Sequence, residues 1–185
     1  MRKTDDKPAS MVSKRHFYSH EIELKLGNWK KHFDFNYRST VIVMALNHFI
    51  KEHELVVNGY LITTKSLFLI VKTEKKSIDE LVEKIELHIT FLLKKYDNKF
   101  TNSISKDDFL IEMENILYTV HQPLFKLKMI KSHYLIKLIT GQKIDIPYYD
   151  PELEYLKLLI KNHPFCSSID YSGALGPVEI VLLKT

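Results

Sequence analysis

The run Leu67-Phe68-Leu69-Ile70-Val71 is apolar at every position. Successive side chains of a strand point to opposite faces, so such a run lacks the alternation of a half-wet strand. It suits a central strand covered wholly or in part on both sides. A chain holding it must build a sheet with material above and below.

The flanking segments supply candidates for that sheet. From Phe17 to Leu26, Ile22, Leu24 and Leu26 alternate with Glu21, Glu23 and Lys25, which predicts a strand ended by Gly27-Asn28. Trp29 to Asn36 is aromatic and polar without a clean period. Residues 39–54 read as a helix on the stripe Val43, Leu46, Asn47, Ile50 and Glu54, widened by Ile42, Ala45 and Phe49. Ser39 is its expected N-cap. Leu55 to Thr63 reads as a second strand, joined to the apolar run by the short link Thr64-Lys65-Ser66.

Residues 77–96 carry the clearest helical period: Ile78, Leu81, Val82, Ile85, Ile89, Leu92 and Tyr96. Ser77 and Glu80 stand at capping-box spacing. Lys106–Val120 predicts another helix, which Pro123 stops. Residues 124–139 read as one or two short helices, and Pro151 opens a helix over Glu152 to Lys161. Val178 to Leu183 is the expected final strand.

Strand, helix, strand, strand, helix packs most simply with both helices on one face of a small antiparallel sheet. The expected class is α+β, ferredoxin-like, with a helical C-terminal extension. That fold needs a fourth strand. The C-terminal strand or a partner could supply it; the alternative is a smaller sheet under a helical layer. The expected divisions are a flexible tail over 1–15, an α+β core over 16–104, and a mainly helical region over 105–185.

With 185 residues the chain suits one domain with an accessory segment. Its 5 glycines and 6 prolines exclude collagen and glycine-rich linkers. No apolar run reaches membrane-spanning length, and the start lacks an apolar signal core, so a cytoplasmic protein with no membrane partner is expected. The single cysteine, Cys166, rules out an internal disulfide.

The chain contains no phosphate-binding loop, dinucleotide fingerprint or zincin helix. Gly173-Ala174-Leu175-Gly176-Pro177 reads as a turn. His48 and Glu52 share a helix face, and Cys166-Ser167-Ser168 has no visible activating partner. No metal site or cofactor is expected. The informative feature is electrostatic: from Asn115 to Ile144 there is no acid, while Lys126, Lys128, Lys131, Lys137 and Lys143 occur with Tyr118, Phe125 and Tyr134. Gathered lysines attract phosphate backbones, and exposed aromatics stack on unpaired bases. Any amphipathic helix also alternates lysine with apolar residues, so the pattern admits an ordinary solvated face.

The segment Ala45 to Tyr96 resembles the single-tyrosine transposases of the insertion-sequence and repeat-associated type. The resemblance implies a ferredoxin-like dimer that recognises folded single-stranded DNA. It also implies a strand-borne His-x-His metal motif and a nucleophilic tyrosine on the following helix. Here Ser66 and Phe68 occupy the two histidine places, and the nucleophile region holds His88 and Phe91, with Tyr96 the nearest tyrosine. Tyr118-Thr119-Val120-His121-Gln122-Pro123 is similar to the Tyr-Ile-His-x-Asn-Pro stretch of repeat-associated members. The resemblance thus implies a catalytically inactive relative that binds structured or single-stranded DNA, as a homodimer. Its expected contacts are Lys94, Lys95, Lys126, Lys128 and Lys131, with Tyr118 and Tyr134 as stacking residues. Two other readings stay open: a protein-interaction module without nucleic acid, and a nuclease with a relocated site.

Overall fold

The protein is described by a computed structural model covering residues 16–100 and 123–183, with side chains described outside 94–100. The expected tail over 1–15, the expected helix over Lys106–Val120 and Tyr118 lie outside the described residues, as do the side chains of Lys94, Lys95 and Tyr96.

The elements run β1 (Tyr18–Leu26), α1 (Phe35–Lys51), β2 (Val56–Ile62), β3 (Ser66–Thr73), α2 (Asp79–Phe100), β4 (Phe125–Met129), α3 (His133–Ile139), α4 (Pro151–Ile160) and α5 (Ser168–Tyr171). The four strands form one antiparallel sheet in the order β2-β3-β1-β4. With α1 and α2 on one face, this is the ferredoxin-like arrangement.

The fourth strand corrects an expectation. It comes from Phe125–Met129, within a stretch read as helical, and not from the C-terminus or a partner. Its entry is fixed by groups distant in sequence. The Trp29 indole donates to the Leu124 carbonyl at 2.9 Å, and the Gly27 amide donates to the same carbonyl at 2.8 Å. The Glu86 carboxylate on α2 accepts the Phe125 amide at 2.7 Å. A Cβ on Gly27 would lie 2.9 Å from the Pro123 carbonyl oxygen, so the close approach requires glycine.

Helix α1 begins at Phe35, ahead of the start that Ser39 would give it. Asp34 is the N-cap and accepts the Tyr37 amide at 2.9 Å. Ser39 sits buried inside the helix and donates to the Phe35 carbonyl at 2.8 Å. Ser77 does accept the Asp79 amide at the start of α2, but Glu80 pairs with Lys75, so no capping box forms.

Leu67, Leu69 and Val71 of β3 join Ile22, Leu24 and residues of α1 and α2 in the main core. Phe68 and Ile70 face the other way, against Leu135 and Ile139 of α3 and Leu156 and Ile160 of α4. The central strand is thus covered on both faces. The expected final strand is also corrected: 178–183 lies extended along the edge of β2 without joining the sheet. Val181 donates to the Val57 carbonyl, and the Asn58 side chain donates to the Val181 carbonyl. A register shift at Asn58 breaks the ladder there.

Candidate functional site

Among the described residues, the C-terminal helices lie over only half of the second sheet face. Over β2 and β3 lie Leu61, Phe68 and Ile70 under α3 and α4. Over β1 and β4 the alternation that buries Ile22 and Leu24 turns Glu23 and Lys25 outward, and the same period turns Lys126 and Lys128 with them.

Register sets the rows. Glu23 stands between Phe68 on β3 and Lys128 on β4; Lys25 stands between Ser66 and Lys126. Directly opposed residues on an antiparallel pair are near neighbours. Glu23 therefore faces an opposite charge across the β1–β4 seam, while Lys25 faces a like charge. The Lys128 ammonium is held below its usual pKa, first by the charge of Lys25, then by desolvation and by Lys126, with Glu23 pulling the other way. Lys25, Lys126 and Lys128 thus stand together on this face, and Lys25 is the one within 4.0 Å of the Glu23 carboxylate.

Where the charged half meets the helices there is a groove of about 630 Å³. Glu23, Lys25, Ser66 and Phe68 line its sheet side, and Tyr155, Leu156 and Leu159 of α4 line the opposite wall. The Ser66 hydroxyl donates to Glu23 Oε1 at 2.8 Å, and Lys25 Nζ lies 4.0 Å from the same oxygen. Ser66 is itself pinned by the β2–β3 turn, where its amide donates to Thr63 Oγ1 at 3.0 Å and its carbonyl accepts the Thr63 amide at 2.8 Å.

Ser66 and Phe68, the two positions matched to metal-binding histidines, are therefore brought together in this groove. Their side chains point away from α2, which lies across the sheet, so the groove they share is with α4. Among the described residues no group of three or more metal-ligating side chains gathers. One depression near the start of α2 is lined by Glu52, His53, Glu54 and Glu74 without bringing them to ligand distance of one point, and Glu54 is paired there with Lys84 at 2.5 Å.

Of the acid-free stretch, Lys126 and Lys128 converge with Lys25. Lys131 is exposed just past β4, whereas Lys137 is half-buried on α3 and Lys143 lines a separate depression with Lys157 and Lys161. Tyr134 is half-buried and clamps α3 to α4. Its hydroxyl donates to Asp150 Oδ2 at 3.0 Å, and that bond first of all pushes its pKa up to about 12. Asp150 is also the N-cap of α4, accepting the Glu152 and Leu153 amides. The exposed ring at the groove is Tyr155, at 64% exposure.

Glu23, Lys25 and Tyr155 are the members that the site reading of the sequence missed. The signal for the first two was the polar half of the β1 alternation; Tyr155 lay outside the apolar set of its helix. His48 does not pair with Glu52. It stacks on His88 of α2, with ring centroids 4.2 Å apart and planes 3° from parallel. No described helix is long and apolar enough to cross a membrane. Against known proteins, no family model, no curated protein and no solved structure matches this chain.

Proposed function

We propose that this protein binds the phosphate backbone of single-stranded or hairpin DNA through the lysine-bearing β1–β4 half of its sheet. The observation that carries the reading is that Lys25, Lys126 and Lys128 stand on one face of the β1–β4 pair, with Lys25 directly opposite Lys126. Placing Lys25 across from Lys126 costs the sheet stability, because directly opposed like charges repel. An anionic partner relieves that repulsion and gives the arrangement a use. Phosphate neutralisation by clustered lysines is strong, salt-sensitive and largely independent of sequence.

The reading includes kinship with the single-tyrosine transposases as an inactive relative, supported by the strand order alone, because Ser66 and Phe68 stand across the sheet from α2. It assigns no chemical step. Filter binding of a labelled hairpin DNA at low salt tests it. The wild-type chain retains the DNA, and a Lys25→Gln, Lys126→Gln, Lys128→Gln variant loses most of that retention. Equal retention by both, or none by either, rejects the reading.

A second reading has its own observation. Tyr148, Tyr149 and Leu158 stand strongly exposed around α4, as a protein-binding surface would place them. It predicts a homodimer whose assembly is unaffected by the lysine substitutions, read by light scattering.

A further inference from the structure

The geometry points to the groove beside the lysines as a pocket for one unstacked base, with Glu23 as the group that reads its exocyclic amino edge. This inference rests on the phosphate-binding reading of the same face and adds a preference among bases to it.

A nucleobase has two apolar faces and a polar rim. The groove has the complementary layout. Its walls are Phe68, Leu156 and Leu159, with the exposed Tyr155 ring at the edge, and Glu23 and Ser66 form one polar end. At about 630 Å³ it has the size of ordinary small-ligand sites. Lys25 belongs both to the groove lining and to the lysine cluster, so a strand whose phosphates lie on Lys25, Lys126 and Lys128 passes a base over the opening. A duplex offers no such base without paying to unstack and unpair it. The pocket therefore selects single strands.

Glu23 sets the preference. Its carboxylate is aimed by the Ser66 hydroxyl at Oε1, and Oε2 has no hydrogen bond to any described residue. The side chain keeps 19% exposure, so this free acceptor still opens to the groove and can meet an incoming donor. An ionised carboxylate accepts and does not donate. It welcomes the N4 amino group of cytosine and repels the O4 carbonyl that uracil and thymine carry at the same ring position. Surrounding lysines keep the negative charge from driving the strand away.

The test is fluorescence anisotropy with labelled oligo-dC and oligo-dU, a pair whose bases differ in the donor and acceptor pattern of one edge. Wild type is expected to bind oligo-dC about tenfold more tightly than oligo-dU. In Glu23→Gln the two affinities converge to within about twofold, because a carboxamide can donate to the uracil carbonyl as well as accept. Affinity for oligo-dU in that variant equals or exceeds wild type, since one negative charge is gone. Competition by cytidine against uridine monophosphate on the wild-type chain repeats the comparison without any variant. Equal binding of both oligomers by wild type, or a preference that survives in Glu23→Gln, overturns the base-reading role and leaves phosphate binding standing. Failure of wild type to bind either oligomer removes both readings together.

Discussion

Ser167 is fully buried and joins three parts of the chain. Its hydroxyl accepts the Tyr60 amide of β2 at 2.8 Å and donates to the Ile139 carbonyl at the end of α3 at 2.5 Å. Ser167→Ala strands both groups away from water. An orphaned buried polar group costs about 1–3 kcal/mol, so the unfolding free energy should fall by that range and the urea midpoint with it. A midpoint unchanged from wild type contradicts this role. Gly59 works nearby through its lack of a side chain. A Cβ there would lie 2.8 Å from the Ile139 carbonyl oxygen and 3.2 Å from Thr140 Cγ2. Gly59→Ala should lower stability by about 1–3 kcal/mol, measured by urea unfolding, because α3 must move off the sheet. A glycine inside a strand signals close approach by another backbone, and that much was legible. Which backbone approaches was not, since Ile139 lies far downstream. The same limit hid Asp34 behind Ser39: both are good caps by type, and only the tertiary position of the first turn separates them.

At the scale of elements, β1 and both large helices were readable because each repeats its period several times, and β2 and β3 because short apolar runs stand on either side of a three-residue link. β4 was not. Phe125-Lys126-Leu127-Lys128-Met129 alternates, but five residues leading toward a helix fit either period. Its anchors, Trp29, Gly27 and Glu86, come from three other elements or turns. The apolar run 178–183 looked like a strand for the opposite reason: it has strand composition, but residues 165–167 take the outer edge of β2 from Tyr60 to Ile62 and leave it Val57 and Asn58.

The α1–α2 contact carries a titratable pair. His88 is held below the ordinary imidazole value of 6.5, by burial first and then by the charge of His48 stacked on it. The unfolded chain therefore takes up this proton at higher pH than the folded one. The stability it contributes is whole above about pH 6.5 and is lost as pH falls through the lower folded value. His163, lowered by burial, acts in the same direction. The urea midpoint should drop between about pH 8 and about pH 5, and His88→Gln should flatten that drop. Glu86 is raised by burial and acts with the opposite sign, but equally in both proteins, so the difference isolates His88. An identical pH dependence in the variant contradicts the assignment.

For the whole molecule, the sheet has one face fully committed to the core and one face divided between an apolar half and a charged half. Lys126 and Lys128 were legible through the absence of acids around them. That they meet Lys25, and that Glu23 stands inside the cluster, comes from the β1–β4 register, which no local pattern encodes. Lys137 and Lys143 share the acid-free stretch but not the surface, because α3 carries the chain away from β4. Sequence proximity marked the right stretch, and topology selected which of its charges act together.

The salt dependence of single-stranded DNA binding bears most directly on the lysine cluster. Each phosphate neutralised contributes about 0.7 to the magnitude of the slope of log affinity against log salt for a single strand. Replacing Lys25, Lys126 and Lys128 together by glutamine should flatten the wild-type slope by about two. A slope that is the same in wild type and variant would show that these three lysines do not meet phosphates.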